Sequence, residues 1–324
     1  MLSYLKSQQP TAIAFFVLLF CVIKIPFLFQ HQDWSVVRIH GVWLNTGLLL
    51  PDHPVWGFLI AQICLLVQAI WFNYLFHKAD YHESNTMIPA AYFALVTSVV
   101  PAFNYFNLYH ILGFLLLLLF MILLQINSKE SAKAESYNAG FLTGILVLLM
   151  PELILFIPFL LLMLYVLKPI RFNEYILLLM GILTPLYLAV GINYLFGIPQ
   201  QTNLYWKELF HPFYIERDYL SLVLLILTGA YLLFSFISMR GILFSVGFKR
   251  RKNVNMLVFF LLGMATVILG SGSLGVSILA LLWIPVSILL TLLLLRARKK
   301  KMPEILHVVF VLTIFIINIV RIVR

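Results

Sequence analysis

Long runs of apolar residues, separated by short polar stretches, recur along the whole chain. Residues 111–124 are typical, because their side chains are apolar on every face, whereas a barrel strand alternates polar and apolar positions over about ten residues. Inside a bilayer the backbone polar groups must pair with one another, which leaves only helix bundles and closed barrels. The pattern therefore predicts an all-α, polytopic helical membrane protein.

About eleven segments are expected to cross the membrane or to re-enter it, from their length and apolar character. They lie near residues 11–30, 55–77, 86–103, 108–126, 138–150, 153–167, 175–196, 219–239, 254–271, 274–295 and 304–322. Few residues remain between them, so a single integral membrane domain, 1–324, is expected. Its longest outward loops are predicted at about 31–54 and 197–218.

Two stretches depart from the length of one ordinary span. Residues 138–167 are too long for one helix and contain Pro151 and Glu152 near their middle. Each half is short, since twelve residues of helix extend only about 18 Å. We predict a hairpin of two short helices there, with its tip near the outer face. The run 254–295 is interrupted by Gly-Ser-Gly-Ser at 270–273, which predicts a tight turn between two helices.

The composition excludes a water-soluble globular protein. Of the 324 residues, 63% are hydrophobic and 10% are charged, and the mean hydropathy is +1.02. Soluble domains have about 45–50% apolar and about 25% charged residues. The net charge of +10 does not indicate a nucleic-acid partner, because basic residues of membrane proteins collect in cytoplasmic loops.

The positions of the basic residues predict the orientation. If the N-terminus lies inside and the spans alternate, most Lys and Arg residues fall on the inner side, including the clusters at 249–252 and 296–301. A single crossing at 138–167 would move both clusters outside, which favours the hairpin. We therefore expect a bacterial inner-membrane protein with a cytoplasmic N-terminus and a periplasmic C-terminus.

The first outward loop carries the clearest candidate chemistry. An amphipathic helix at the membrane interface is predicted from Val36, Val37, Val42 and Trp43. Asp33 and Asp52 are candidate catalytic carboxylates, and Arg38 and His40 are candidates for binding an anionic group. The alternative is an interfacial helix without a chemical role.

Two charged residues outside this loop are further candidates. Lys24 lies within the first apolar run, where a charge costs about 2.5–3.5 kcal/mol on insertion scales unless the side chain reaches the interface. With Arg38 it is predicted to hold a lipid phosphate beneath the outer face. Glu152 follows Pro151 at the predicted hairpin tip. It is either a helix cap or a carboxylate that faces Asp33 across a cavity.

The middle of the chain resembles an uncharacterised family of membrane proteins from bacteroidete bacteria. The residues that carry the resemblance are Tyr137-Asn138-Ala139-Gly140-Phe141-Leu142-Thr143-Gly144-Ile145, then Pro151 and Lys168-Pro169-Ile170-Arg171. The similarity covers roughly residues 70–195. This resemblance implies a location in the membrane and no particular activity.

The overall layout is similar to that of polytopic glycosyltransferases of the C superfamily. Shared features are the inside N-terminus, an outward first loop with an acid, and Gly-rich short spans followed by Pro and a basic inner turn. The resemblance implies transfer of a sugar from a polyprenyl-phosphate carrier at the outer face. It places the catalytic acid at Asp33, with Asp52 or Glu152 as a second acid. Many members carry a soluble C-terminal domain that is not found here.

Three functions stay open at this point, and so does the question of whether the chain is an enzyme. The first is a glycosyltransferase-like enzyme of envelope glycan assembly, with Lys24 and Arg38 stabilising the departing phosphate. The second is a non-catalytic subunit or scaffold of an envelope-assembly or secretion complex, which requires a membrane protein partner. The third is a transporter of lipids or glycolipids. No motif predicts a cofactor or a metal ion, and the expected ligands are membrane lipids.

Overall fold

The computed structural model of the protein describes residues 5, 10–25, 54–82, 85–169, 171–195, 214–215, 229, 248–270, 273–274, 280–296, 305 and 307–316. The helices are α1 (Pro10–Lys24), α2 (Pro54–Lys78), α3 (Ile88–Val99), α4 (Leu108–Ser128), α5 (Lys133–Leu149), α6 (Ile157–Leu167), α7 (Phe172–Leu195), α8 (Phe248–Gly270), α9 (Trp283–Arg296) and α10 (His307–Ile316). Two 3-10 turns, Pro101–Asn104 and Pro151–Phe156, follow α3 and α5.

The all-α class is confirmed, and the apolar helices are those of a membrane protein. Every predicted segment overlaps one of the helices given above except 219–239, of which only residue 229 is described. Four helices of the described part are long and apolar enough to cross a membrane, namely Val55–Lys78, Leu108–Ser128, Phe172–Leu195 and Arg250–Gly270. Other apolar helices are shorter, so the count of about eleven crossings is not confirmed. The interfacial helix predicted within 31–54 lies outside the described residues.

The stretch 138–167 forms two helices, α5 and α6, joined by the 3-10 turn Pro151–Phe156. The chain returns to the end from which it started, because Lys168 Nζ after α6 donates to the carbonyl oxygen of Glu130 before α5, at 3.0 Å. Pro151 has no N–H to continue the hydrogen bonds of α5. A hairpin of two helices is therefore what the structure contains here. Helix α5 starts at Lys133, earlier than the predicted residue 138.

The prediction of a tight turn at 270–273 followed directly by a helix is wrong in its second part. Helix α8 ends at Gly270 as expected, but α9 begins only at Trp283. The residues between include β2 (Ser273–Leu274), which pairs in parallel with β1 (Tyr214–Ile215). The other residues of the predicted turn, 271 and 272, lie outside the described residues.

Helix α3 is the centre of the described bundle. All of its residues are buried, and it packs against α1, α2 and α9. Aromatic rings fill the space between α2, α3 and α9: the Phe93 ring lies edge-on to Trp283 with centroids 4.5 Å apart, and Phe72 contacts both. The middle of α3 is thereby packed against the second half of α2.

Helices α5 and α7 approach each other through glycines. A Cβ atom on Gly140 would lie 2.0 Å from the carbonyl oxygen of Leu178, and one on Gly181 would lie 2.3 Å from that of Tyr137. A Cβ on Gly144 would meet the Pro185 ring at 2.3 Å. Small residues four apart permit such close contact between membrane helices. Glycine at these positions is therefore required by the backbone-to-backbone contact.

One end of the bundle, which we call the basic end, is formed by residues 78–82, 127–135, 167–169, 171–174 and 248–253. Hydrogen bonds link its loops: Asn127 Nδ2 donates to Asn253 Oδ1 at 2.7 Å, and Lys252 Nζ donates to the Leu167 carbonyl at 2.8 Å. Arg250 forms an ion pair with Asp80 at 2.9 Å. These contacts bring the ends of α2, α4, α6 and α8 to one level.

A buried ion pair also lies at the basic end. The Lys168 ammonium is 3.7 Å from Glu174 Oε1, and both side chains are buried. The same oxygen accepts a hydrogen bond of 3.0 Å from the Ala132 backbone N–H. Nearby, Lys129 donates to Glu135 in the first turn of α5. This hydrogen bond lowers the pKa of the Glu135 carboxyl below its ordinary value.

Candidate functional site

Away from the basic end, six polar side chains are buried or half-buried inside the apolar bundle, five of them at the contact between α2 and the residues at the start of α4. We call them the buried polar cluster: Lys24, Gln62, Gln68, Asn104, Asn107 and His110. They come from the last turn of α1, from α2, from the turn after α3 and from the start of α4. Helix α2 is about 37 Å long, and Gln62 and Gln68 lie about 12 and 21 Å from its beginning. The cluster is therefore near the middle of a membrane-spanning helix.

The start of α4 is built by a capping box. Asn107 Oδ1 accepts from the Tyr109 N–H at 2.9 Å, and the Asn107 N–H donates to His110 Nδ1 at 3.3 Å. This exchange satisfies backbone donors that a helix start leaves unpaired. The Phe103 and Phe106 rings lie 5.6 Å from the His110 ring. His110 is thus held in place, and its Nε2 is buried with no hydrogen-bond partner among the described residues.

The two glutamines of α2 each use only half of their amide group. Gln68 Nε2 donates to the carbonyl of His110 at 2.7 Å, and Gln62 Nε2 donates to the carbonyl of Asn104 at 3.2 Å. Their Oε1 atoms are buried without a hydrogen-bond partner in the described part of the chain. The amide of Asn104, which is fully buried, has a partner for neither Oδ1 nor Nδ2 within the same residues.

Lys24 adds an ionisable group to these neutral polar side chains. Its side chain is only 2% exposed, and its Nζ lies 6.0 Å from the centroid of the Phe20 ring. A charged group at membrane depth is costly and is a functional candidate by default.

The unsatisfied atoms make the cluster unusual for a packed core. A buried polar atom without a partner costs about 1–3 kcal/mol, and apolar side chains of similar volume would avoid this cost. Four such side chains, Gln62, Gln68, Asn104 and His110, occur together here. The arrangement is suited to binding a polar group that supplies the missing partners. Among the described residues, no three His, Cys, Asp or Glu side chains are placed to share a metal ion.

The structure describes two of the six residues predicted for the site. Lys24 belongs to the cluster, whereas Glu152 is half-buried in the turn between α5 and α6, which packs on α8. Asp33, Arg38, His40 and Asp52 lie outside the described residues. The second outward loop, 197–218, is described only at β1. The proximity of Asp33 to Lys24 or to Glu152 therefore stays a prediction.

Sequence reasoning missed the neutral members of the cluster. Gln68 interrupts an otherwise apolar run, and Asn107 with His110 has the spacing of a capping box. These local signals can be recognised in the sequence. The contact between Gln68 and the carbonyl of His110 cannot be predicted from them, because the two residues are 42 positions apart in the chain.

Residues 49–324 match a family of unknown function, DUF6427. No curated protein and no solved structure matches the chain.

Proposed function

We propose that this chain, which belongs to the DUF6427 family of unknown function, binds the phosphate-bearing headgroup of a lipid at the buried polar cluster. The observation that supports the proposal is the burial of the Lys24 side chain in a bundle that also buries neutral polar groups, several of which have no hydrogen-bond partner among the described residues. An ammonium binds phosphate oxygens by charge-assisted hydrogen bonds, which are stronger in an apolar surrounding than in water.

The reaction proposed for this site is sugar transfer from a polyprenyl-phosphate carrier at the outer face of the bacterial inner membrane. Asp33 takes the proton of the acceptor hydroxyl, whose oxygen forms the new bond to the sugar. The bond between the sugar and the phosphate oxygen breaks, and the polyprenyl phosphate leaves with the electron pair. Lys24 and Arg38, with His40, stabilise the negative charge that develops. Asp52 or Glu152 is the second acid.

Lipid binding is tested on the purified protein by native mass spectrometry with defined phospholipids. Lys24→Met should lower the retention of phosphate-bearing lipids about tenfold or more, because a hydrogen bond to a charged group contributes about 1.5–3 kcal/mol. The matched control is Lys78→Met, which removes an exposed lysine at the other end of α2. Equal retention by both variants would contradict the proposal.

Transfer is tested separately with membranes that contain a polyprenyl-phosphate sugar. Asp33→Asn should abolish turnover while lipid binding and thermal stability are unchanged. Parallel Asp52→Asn and Glu152→Gln variants identify the second acid. Turnover at the wild-type rate in Asp33→Asn would remove Asp33 from the reaction. Movement of bound lipid between leaflets without transfer would support the transporter instead.

A non-catalytic subunit is the second candidate, and helix α7 is the observation that favours it. Its buried residues are Glu174, Leu178, Gly181, Ile182 and Pro185, all on the stripe that faces α5. The rest of α7 is exposed and apolar, with Tyr194 82% exposed. A partner protein bound to this face would be lost on purification of a variant with Leu183→Ser and Tyr187→Ser. Co-purification of the same partner protein in every preparation, without bound lipid, would favour this function.

A further inference from the structure

We infer that the amides of the buried polar cluster select a headgroup that carries hydroxyl groups next to its phosphate. This inference rests on the proposed function and specifies the chemical class of its lipid. Lys24 binds the phosphate, while Gln62, Gln68 and Asn104 bind the part of the headgroup beyond it. Glycerol, inositol and sugar headgroups belong to this class.

The hydrogen bonds already made by the glutamines define what the remaining atoms require. A backbone carbonyl oxygen can only accept a hydrogen bond, so the contacts of Gln68 and Gln62 with the carbonyls of His110 and Asn104 require each amide to present its NH2 group there. The unsatisfied atoms of the two glutamines are therefore their Oε1 oxygens, which accept hydrogen bonds. Phosphate oxygens also accept and cannot satisfy them. A ligand group with O–H or N–H donors is needed.

The charge of Lys24 favours a hydroxyl donor over an ammonium donor. An ammonium group, as in ethanolamine headgroups, would place a second positive charge close to Lys24 in an apolar surrounding, where like charges repel strongly. A hydroxyl donates to the glutamine oxygens without a charge. It can also accept from Asn104 Nδ2, which has no hydrogen-bond partner among the described residues. Hydroxyls thus match both the donor and the acceptor atoms of the amides.

The cluster adjoins the lipid-facing side of α2. Gln62 is half-buried, whereas Leu59 and Ile63 beside it are exposed. A headgroup can therefore approach Gln62 from the membrane. Deeper in the bundle, the position of Gln68 depends on Gly113, where a Cβ atom would lie 3.0 Å from both Nε2 and Oε1 of Gln68. The Gln68 amide is thus packed directly against the backbone of α4 at this position.

The experiment uses the full chain and three phospholipids with identical acyl chains. Phosphatidic acid offers a phosphate alone, phosphatidylglycerol adds hydroxyls, and phosphatidylethanolamine adds an ammonium. Native mass spectrometry measures the fraction of protein that retains each lipid. The wild type should retain phosphatidylglycerol about tenfold better than phosphatidic acid, as expected for one additional satisfied hydrogen bond, and phosphatidylethanolamine least.

The variant Gln68→Met keeps the size of the side chain and removes the amide. It should lose the preference for phosphatidylglycerol and retain phosphatidic acid as the wild type does. The matched control is Gln125→Met at the opposite end of α4. If Gln68→Met does not fold, Gln62→Met, which removes the other glutamine amide, should give the same loss of preference, and thermal melting without lipid checks folding.

An unchanged preference in folded Gln68→Met or Gln62→Met protein would overturn the inference, and so would wild-type retention of phosphatidylethanolamine equal to that of phosphatidylglycerol. Retention of phosphatidic acid and phosphatidylglycerol at equal levels would overturn it while the proposed lipid binding stands. Failure to retain any of the three lipids would contradict the proposed function itself.

Discussion

The contact between α5 and α7 gives a sharp test of the packing. In Gly140→Ala the new Cβ would lie 2.0 Å from the Leu178 carbonyl oxygen, whereas ordinary van der Waals contact begins at about 3.4 Å. Neither partner is a flexible side chain, so the helices must separate by about 1 Å or more. Overpacking of this kind costs about 1–3 kcal/mol. The intrinsic preference of a helix for Ala over Gly, about 1 kcal/mol, acts in the opposite direction.

Gly191 provides the matched control, because it lies in α7 and a Cβ there would meet no atom within 4 Å. Subtracting the effect of Gly191→Ala removes the helix-preference contribution and leaves the packing cost. Reversible unfolding in mixed micelles, followed by circular dichroism, measures both free energies. Gly140→Ala should be less stable than Gly191→Ala by about 1–3 kcal/mol. A difference below about 0.5 kcal/mol, which is the size of an ordinary surface effect, would refute the close approach of these helices.

Two further predictions concern the charges of the basic end. Lys129→Met should destabilise the protein at neutral pH and not in acid. The Lys129 hydrogen bond lowers the pKa of Glu135 in the folded protein. The stabilisation that this pair provides is therefore complete above the unfolded pKa of Glu135 and is lost as the pH falls through its folded pKa. Melting temperatures of wild type and variant from pH 7 to pH 3 check this, and parallel curves would contradict it. Glu174→Gln should cost about 3 kcal/mol, because it leaves the buried Lys168 charge without its carboxylate. The control is Glu130→Gln, since the Glu130 side chain is exposed and only its backbone carbonyl accepts hydrogen bonds from Lys168 and Arg171. An equal loss of stability in both variants would exclude the buried ion pair as the cause.

The helices were largely predictable from the sequence, because apolar runs in a membrane protein have few alternatives to helix. The run 108–126 became α4 (Leu108–Ser128), and Pro151 marked the interruption between α5 and α6. Both outcomes depend on local chemistry. The start of α9 was not predictable, since strand pairing of Ser273 with Tyr214 involves residues far apart in the chain.

Lys24 is the one residue of the buried polar cluster that the sequence predicted. A lysine within an apolar run is conspicuous in any reading of the sequence, whereas glutamine and asparagine in apolar runs are common enough to be passed over. Asn104 becomes a candidate only in the folded protein, where it is completely buried and its amide has no hydrogen-bond partner among the described residues. The glycines depend on the fold in the same way, because the close approach of Gly140 and Gly181 follows only from the packing of α5 against α7.

The glycine contact between α5 and α7 also has a consequence for biogenesis. The two helices are not neighbours in the chain, since α6 lies between them, so the glycine face of α5 emerges from the ribosome well before Pro185. During that interval the nascent chain exposes a narrow groove of backbone atoms to lipid or to an insertion chaperone. Chains arrested before residue 172 should therefore be the ones most readily captured by membrane quality-control proteases.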